Sequence, residues 1–243
     1  PDVLNAFNDD FSVEFISALK QMSKDAEVRV VVITGAGRAF SSGQDLGDLE
    51  RKYVPGHVPA LGEDLKKRYD PWVKLIRTMD KPVIASVNGV AAGAGCSLAL
   101  ACDIRIASEH AKFIEVFINV GLIPDSGSTW MLPRIIGLGR AMELCMTGRP
   151  VKAEEALSMG LANQVVPADE LDAATHAMAA RLASLPGKAL SLTKRLLNES
   201  LERSLTDQLQ AEAFAQETAG RTKDHFEGVT AFLQKRTPEF VGE

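Results

Sequence analysis

Apolar positions along this chain follow two rhythms. Residues 28–34 (VRVVVIT), 83–87 (VIASV), 104–107 (IRIA) and 161–166 are short, rich in β-branched side chains and bounded by turn formers, which predicts strands. A 3.6-residue rhythm predicts helices over residues 9–22, with Phe11, Phe15, Ile16 and Leu19 on one face, and over 65–79, with Trp72, Leu75, Ile76 and Met79 inward. Further helices are expected at 97–101, 130–136, 141–146, 153–159 and 171–185, while 111–120 carries Phe113 and Phe117. Strands alternating with helices imply a parallel sheet in an α/β architecture. Pro186-Gly187 marks one internal boundary, dividing a core (1–186) from a wholly helical region (187–243). Leu196, Leu197, Phe214, Phe226 and Phe232 in that region lack strands to cover them, so it should dock on the core or on another subunit.

Composition narrows the class. The 243 residues are 46% apolar and 24% charged, enough for a sizeable core. A net charge of −5 offers no basic excess to neutralise phosphates, which argues against a nucleic-acid partner. Cys96, Cys102 and Cys145 form neither a disulfide framework nor a zinc pattern, and no metal is expected; a reducing, cytoplasmic compartment fits. No run reaches the ~18 apolar residues of a membrane span. The chain opens abruptly at Pro1, like a segment that follows earlier strands.

Candidate chemistry gathers in small-residue turns. After the strand at 83–87, Asn88-Gly89 breaks the run, and Gly93, Ala94 and Gly95 open a helix. Strand, glycine turn and helix start leave unpaired N–H groups at one point with the positive end of the helix dipole behind them. That suits a phosphate or the oxyanion of an acyl group, although small residues also simply allow close packing. A second such turn, 39–46 (AFSSGQDL), follows the first strand; Phe40 stands where a dinucleotide fingerprint needs glycine. Residues 51–63, with two prolines, two glycines and His57, read as a mobile loop or lid. Asp125 precedes a helix and is either its N-cap or, among Phe117, Leu122 and Trp130, a carboxylate of raised pKa able to act as a base. The templates GxxxxGK[ST], GxSxG and HExxH are missing from the sequence.

Four segments in order, 39–46, 82–103 (PVIASVNGVAAGAGCSLALACD), 121–129 (GLIPDSGST) and the ending 227–236, make the chain resemble the crotonase (enoyl-CoA hydratase/isomerase) superfamily over essentially its whole length. The resemblance implies a superhelix of ββα turns, a preceding first hairpin, a C-terminal helical region used in trimerisation, homotrimers or hexamers, and acyl-CoA thioester substrates without a further cofactor. It implies an oxyanion hole from the backbone N–H groups of Gln44 and Ala94, substrate-binding positions at Ala39, Ser42, Asp45, Leu46 and Gly93, and CoA contacts from Phe232 and Lys235. The two glutamates of hydratases would fall on Ser97 and Phe117, and Glu115 lies two residues off that motif. With Asp125 in IPDSGSTW the chain is most similar to the 1,2-epoxyphenylacetyl-CoA isomerase subgroup of phenylacetate catabolism, in which the aspartate is the acid/base residue. The expected activity is isomerisation of an acyl-CoA, with Phe117 and Trp130 lining the acyl pocket. Hydration, or a non-catalytic acyl-CoA-binding role, is the alternative.

Overall fold

The computed structural model describes residues 1–45, 47 and 59–242. Leu46 and residues 51–58 of the expected loop, His57 among them, lie outside that range; residues 61–63 belong to a helical turn rather than a loop. A helix α1 (Asp9–Lys24), capped by the Asn8 side chain at Phe11 N–H (2.8 Å), leads into the first strands.

Each strand pair divides itself between two sheets. β1 (Val31–Thr34), β3 (Val83–Val87), β5 (Ile104–Ser108) and β8 (Gln164–Val166) form one parallel sheet in that order. Their partners β2 (Ala39–Ser41), β4 (Val90–Ala92), β6 (Lys112–Ile114) and β7 (Val151–Lys152) form the second, parallel except for β6–β7. The chain thus climbs in successive ββ steps, β1–β2, β3–β4 and β5–β6, one above the other. All five residues of β3 are buried, as a strand covered on both faces must be.

Between β2 and β3 come α2 (Leu61–Asp64), a π-helical turn (Leu65–Tyr69) and α3 (Asp70–Thr78). Trp72 and Ile76 of α3 are fully buried. A run of ring contacts, Phe7–Phe11 (4.4 Å), Phe11–Phe15 (5.1 Å), Phe15–Trp72 (6.3 Å) and Trp72–Tyr69 (6.1 Å), locks α1 against α3 and fixes Tyr69. Helix α4 (Ala94–Ala101) follows β4 and is buried at every residue. After β6 a 3₁₀ turn (Val116–Val120) leads to α5 (Ser128–Ile136) and α6 (Leu138–Thr147), then α7 (Ala153–Ser158) and α8 (Leu171–Ala183), which covers the first sheet.

The C-terminal helices are α9 (Gly187–Glu199), α10 (Leu205–Gly220) and α11 (Lys223–Gln234). α9 docks on the core by polar contacts. Lys194 Nζ meets Asp103 Oδ2 (2.8 Å) and the carbonyls of Ile76 (2.7 Å) and Lys81 (3.0 Å), and Ser191 donates to Asp80 (2.5 Å). Leu197, Leu209, Phe214, Phe226 and Phe232 remain exposed. Among the described residues no helix is long and apolar enough to cross a membrane.

Candidate active site

Parallel register decides what meets at the C-terminal ends of the second sheet. Ser41 pairs with Ala91, and Ala92 with Ile114. The segments leaving β2 (42–45), β4 (93–95) and β6 (115–117) are therefore neighbours, at the strand ends where ligands of parallel sheets bind.

The first two turns interlock. A Cβ placed on Gly43 (φ +88°) would lie 2.7 Å from the Ala92 carbonyl oxygen and 3.1 Å from Ala94 N, and one on Gly95 would lie 2.5 Å from the Ser41 carbonyl oxygen. Only hydrogen fits at either place. The Gln44 side of the contact is held from outside by the N-terminal segment. Phe7 N–H donates to Gly43 O (2.7 Å), Asp45 N–H to Phe7 O (3.0 Å) and Ser42 N–H to Leu4 O (2.9 Å). These bonds use the amides on either side of Gln44 but not its own. Ala94 opens α4, so its N–H has no partner in the helix. Among the described residues neither the Gln44 nor the Ala94 N–H has an acceptor. Two buried or half-buried main-chain donors left unpaired in touching turns are uncommon, and they mark a place for an oxygen ligand.

The Asp125 main chain is tied to the Ala94 turn through Ser97. Its backbone carbonyl accepts from Ser97 Oγ (3.1 Å), the same hydroxyl that approaches Gly93 O (3.2 Å) in the Ala94 turn. Burial raises the Asp125 carboxyl above the ordinary aspartate value; a bond from Ser126 Oγ (2.8 Å) opposes the rise and the charge of Asp70 adds to it. Tyr69 joins the opposite wall, its hydroxyl bonded to Gln44 Oε1. Burial pushes the Tyr69 phenol up, and Asp125's charge pushes it further, which places that carboxylate within electrostatic reach of the Tyr69–Gln44 pair. The helix-cap reading of Asp125 fails: Gly127, in the left-handed region, caps α5 with no side-chain bond.

The remaining expected residues divide. Phe117 is buried next to Gly93, its ring edge 3.9 Å from where a Gly93 Cβ would stand. Ala39 is buried, and its carbonyl accepts from Asn5 (2.8 Å) and Asn88 (3.2 Å). Ser42 Oγ bonds Val3 O (3.2 Å), and Asp45 Oδ1 accepts from Gly47 N–H (2.7 Å), so both side chains build the turn. Trp130 is not brought to this cluster. Ser128 faces inward, and two positions on along a helix is about 200° of rotation. The Trp130 ring lies instead between the guanidiniums of Arg77 (5.6 Å) and Arg134 (4.0 Å) on the side of Leu197 and Leu201. Phe232 is 82% exposed and Lys235 ends α11 in the left-handed region; neither meets these residues within this chain.

Sequence reading passed over Tyr69, Ser128 and the placement of Glu115. Glu115 is 3% exposed, accepts from Ser128 Oγ (3.0 Å), and is pushed by burial up to about 7. The position of Glu115 at the end of β6 was the available signal; its burial was not legible.

The enoyl-CoA hydratase/isomerase family profile matches residues 1–243. The chain is 44% identical over 244 residues to the 1,2-epoxyphenylacetyl-CoA isomerase of Escherichia coli (strain K12), covering 100% of this chain and 92% of that protein. It is 36% identical to the crotonyl-CoA hydratase of Syntrophomonas wolfei, with 100% and 92% covered. An enoyl-CoA hydratase structure from Bacillus anthracis superposes with a TM-score of 0.93 at 36% identity, covering 100% of this chain and 92% of that one.

Proposed function

This chain belongs to the enoyl-CoA hydratase/isomerase family and has its crotonase-type fold, and we propose that within the family it acts as a cofactor-free acyl-CoA isomerase. The observation that carries this reading is the pair of unpaired N–H groups, Gln44 and Ala94, in touching turns, with the half-buried Asp125 in a segment whose main chain Ser97 ties to the Ala94 turn.

A thioester carbonyl oxygen placed between the two amides gains most from them once it becomes an enolate oxygen, because donors fixed in place need no reorganisation as charge develops. Asp125 as carboxylate takes a proton from the carbon next to the thioester carbonyl of a 3-enoyl-CoA. The electron pair delocalises into carbonyl and alkene, and the Asp125 carboxylic acid returns the proton to the far carbon. The double bond moves and no atom is gained or lost. Partial burial supports this role by bringing the carboxyl closer in basicity to the carbon acid. A phenylacetyl-CoA ring epoxide presents the same carbonyl to the same donors, with rearrangement of the epoxide in place of the alkene shift. Hydration asks for a second carboxylate to orient water; Ser97 and Phe117 stand at the expected places, and Glu115 is engaged by Ser128. We place the chain in a homotrimer or a hexamer, with the exposed apolar residues of α9–α11 as the contact surface.

The test is a side-by-side assay of 3-enoyl-CoA, 2-enoyl-CoA and 1,2-epoxyphenylacetyl-CoA with purified protein. Conversion of the first or third, and no water addition to the second, is expected. Dominant hydration of 2-enoyl-CoA would overturn the isomerase reading.

A further inference from the structure

The reaction just described leaves Glu115 unused, although a buried carboxyl beside a charged intermediate is costly to keep. Its Oε1 is 3.0 Å from Ser128 Oγ, and the Cys96 thiol also bonds the Glu115 carboxyl group. From Ser128 the contacts continue to Ser97 Oγ (2.8 Å), and from Ser97 to the carbonyl oxygens of Gly93 (3.2 Å) and Asp125 (3.1 Å). Ser97 and Ser128 are fully buried.

The protonation of Glu115 biases the direction of this chain of bonds, since either serine can donate in the Ser97–Ser128 contact. Each serine hydroxyl has one proton to donate, and an ionised carboxylate has none. With Glu115 ionised, Ser128 donates to Glu115, and the Ser97 proton is drawn toward Ser128 Oγ and shared away from the carbonyls of Gly93 and Asp125. With Glu115 protonated, its O–H donates to Ser128, Ser128 donates to Ser97, and the Ser97 proton reaches Gly93 O or Asp125 O. The Gly93 carbonyl and the Ala94 N–H are the two ends of one peptide unit. A hydrogen bond at the carbonyl polarises that unit and strengthens the N–H as a donor. The other carbonyl belongs to the residue that carries the proposed base.

We propose that protonated Glu115 is a positioning residue for this site: through Ser128 and Ser97 it supports the Ala94 peptide and the Asp125 turn, and its ionisation reverses the chain and withdraws that support. The proposal rests on the isomerase reading of the same site.

Charges around Glu115 agree with this state. The titratable groups facing it are Cys96 from α4, Cys145 from α6 and Asp125 from the turn before α5; beyond Asp125 stand Tyr69 and Asp70. Burial pushes both thiols up, Cys145 to about 11, so they stay neutral near pH 7. Of the two carboxyls Asp125 is the less buried and accepts from Ser126, whereas burial pushes Glu115 up to about 7 against the hydrogen bonds from Ser128 and Cys96, which favour its ionised form, and the Asp125 charge adds a smaller rise. One negative charge, on the base, is the arrangement the pocket favours.

The experiment is kcat/KM for the substrate turned over, from pH 5 to 9, with wild type, Glu115→Gln and Ser128→Ala. Wild type is expected to decline at least tenfold between pH 6 and 8.5. Glu115→Gln, whose amide donates to Ser128 at every pH, should run at pH 8.5 at the rate it has at pH 6. Ser128→Ala, with the chain cut, should be slow and equally flat. Retention of the wild-type decline in either variant overturns the proposal. A second readout is the affinity for acetoacetyl-CoA, whose enolate charges the same donors, measured in the Asp125→Asn background. Tenfold or greater weakening from pH 6 to 8.5, relative to the same measurement with Glu115→Gln added, is expected; an identical pH course with and without Glu115→Gln overturns the proposal. If wild type turns over neither isomerase substrate, the functional reading fails, and Glu115 is judged by this binding alone; loss of binding as well overturns both.

Discussion

At the scale of single residues, two carboxyls ten positions apart in sequence differ in burial and in partners. Asp125→Asn keeps the side chain's size and removes its basicity, so isomerase turnover should drop by roughly 10²–10⁴-fold while the Kd for an acyl-CoA ester stays within about threefold, as read by steady-state rates and calorimetry. Turnover near the wild-type level would remove Asp125 from the reaction. Glu115 also links folding to pH. Its native value of about 7 lies above the ordinary 4.5, so between those values the folded chain holds a proton that the unfolded chain has released. Stability should therefore be full below pH 4.5 as far as this group is concerned and fall as pH rises toward 7, by on the order of 2–3 kcal/mol. Urea unfolding at pH 5.5 and 8 checks this, and Glu115→Gln should shrink the difference. Sequence spacing alone separated neither residue from its bland alternative. Asp125 preceded a helix as caps do, and Glu115 sat between Phe113 and Phe117 with nothing to show which way its side chain turned.

At the scale of elements, the site is a consequence of two turns that fit only because glycine stands at Gly43 and Gly95. Gly43→Ala adds a methyl where the Ala92 carbonyl oxygen is 2.7 Å away, in a backbone conformation that side chains rarely take. It should cost about 1–3 kcal/mol of stability and more than tenfold in kcat/KM, since relief of the clash moves the Gln44 amide away from the Ala94 amide. Urea titration and kinetics on the same preparation measure both. Full activity in Gly43→Ala would show that the contact between turns is dispensable. The turns themselves were legible, because a strand followed by small residues and a helix start has few conformations to choose from. That Ser41 and Ala91 pair in register, so that the turns touch, was not, since strand pairing over fifty residues leaves no local trace.

At the scale of the whole molecule, the C-terminal helices are held by a few buried polar contacts and present their apolar side chains outward. Lys194 is 10% exposed in its side chain and satisfied by Asp103 and two carbonyls. Lys194→Met would leave Asp103 without its cation and should lower stability by about 3 kcal/mol, measured by urea unfolding; a loss under 1 kcal/mol would mean that α9 is held chiefly by its apolar contacts. Uncovered Leu197, Leu209, Phe214, Phe226 and Phe232 lead to a further expectation. Light scattering should give about three or six times the 26.2 kDa chain mass, and a monomeric mass would contradict the assembly proposed above.

The sequence by itself determined the alternation of strands and helices, the small-residue turns, and the identity of the family, because each is written in local periodicity or in a short contiguous motif. The oxyanion-hole candidates Gln44 and Ala94 were implied by the family resemblance, and at Ala94 the local pattern agreed, because a glycine turn that opens a helix leaves N–H groups exposed. Tertiary structure alone decided that three turns from strands far apart in the chain converge, that Trp130 faces Arg77 and Arg134 instead of the cluster, and that Glu115 is buried against Ser128, which pushes its carboxyl up to about 7. Those outcomes depend on sheet register and on which side of each element loses its water, quantities that arise only when separate segments pack together.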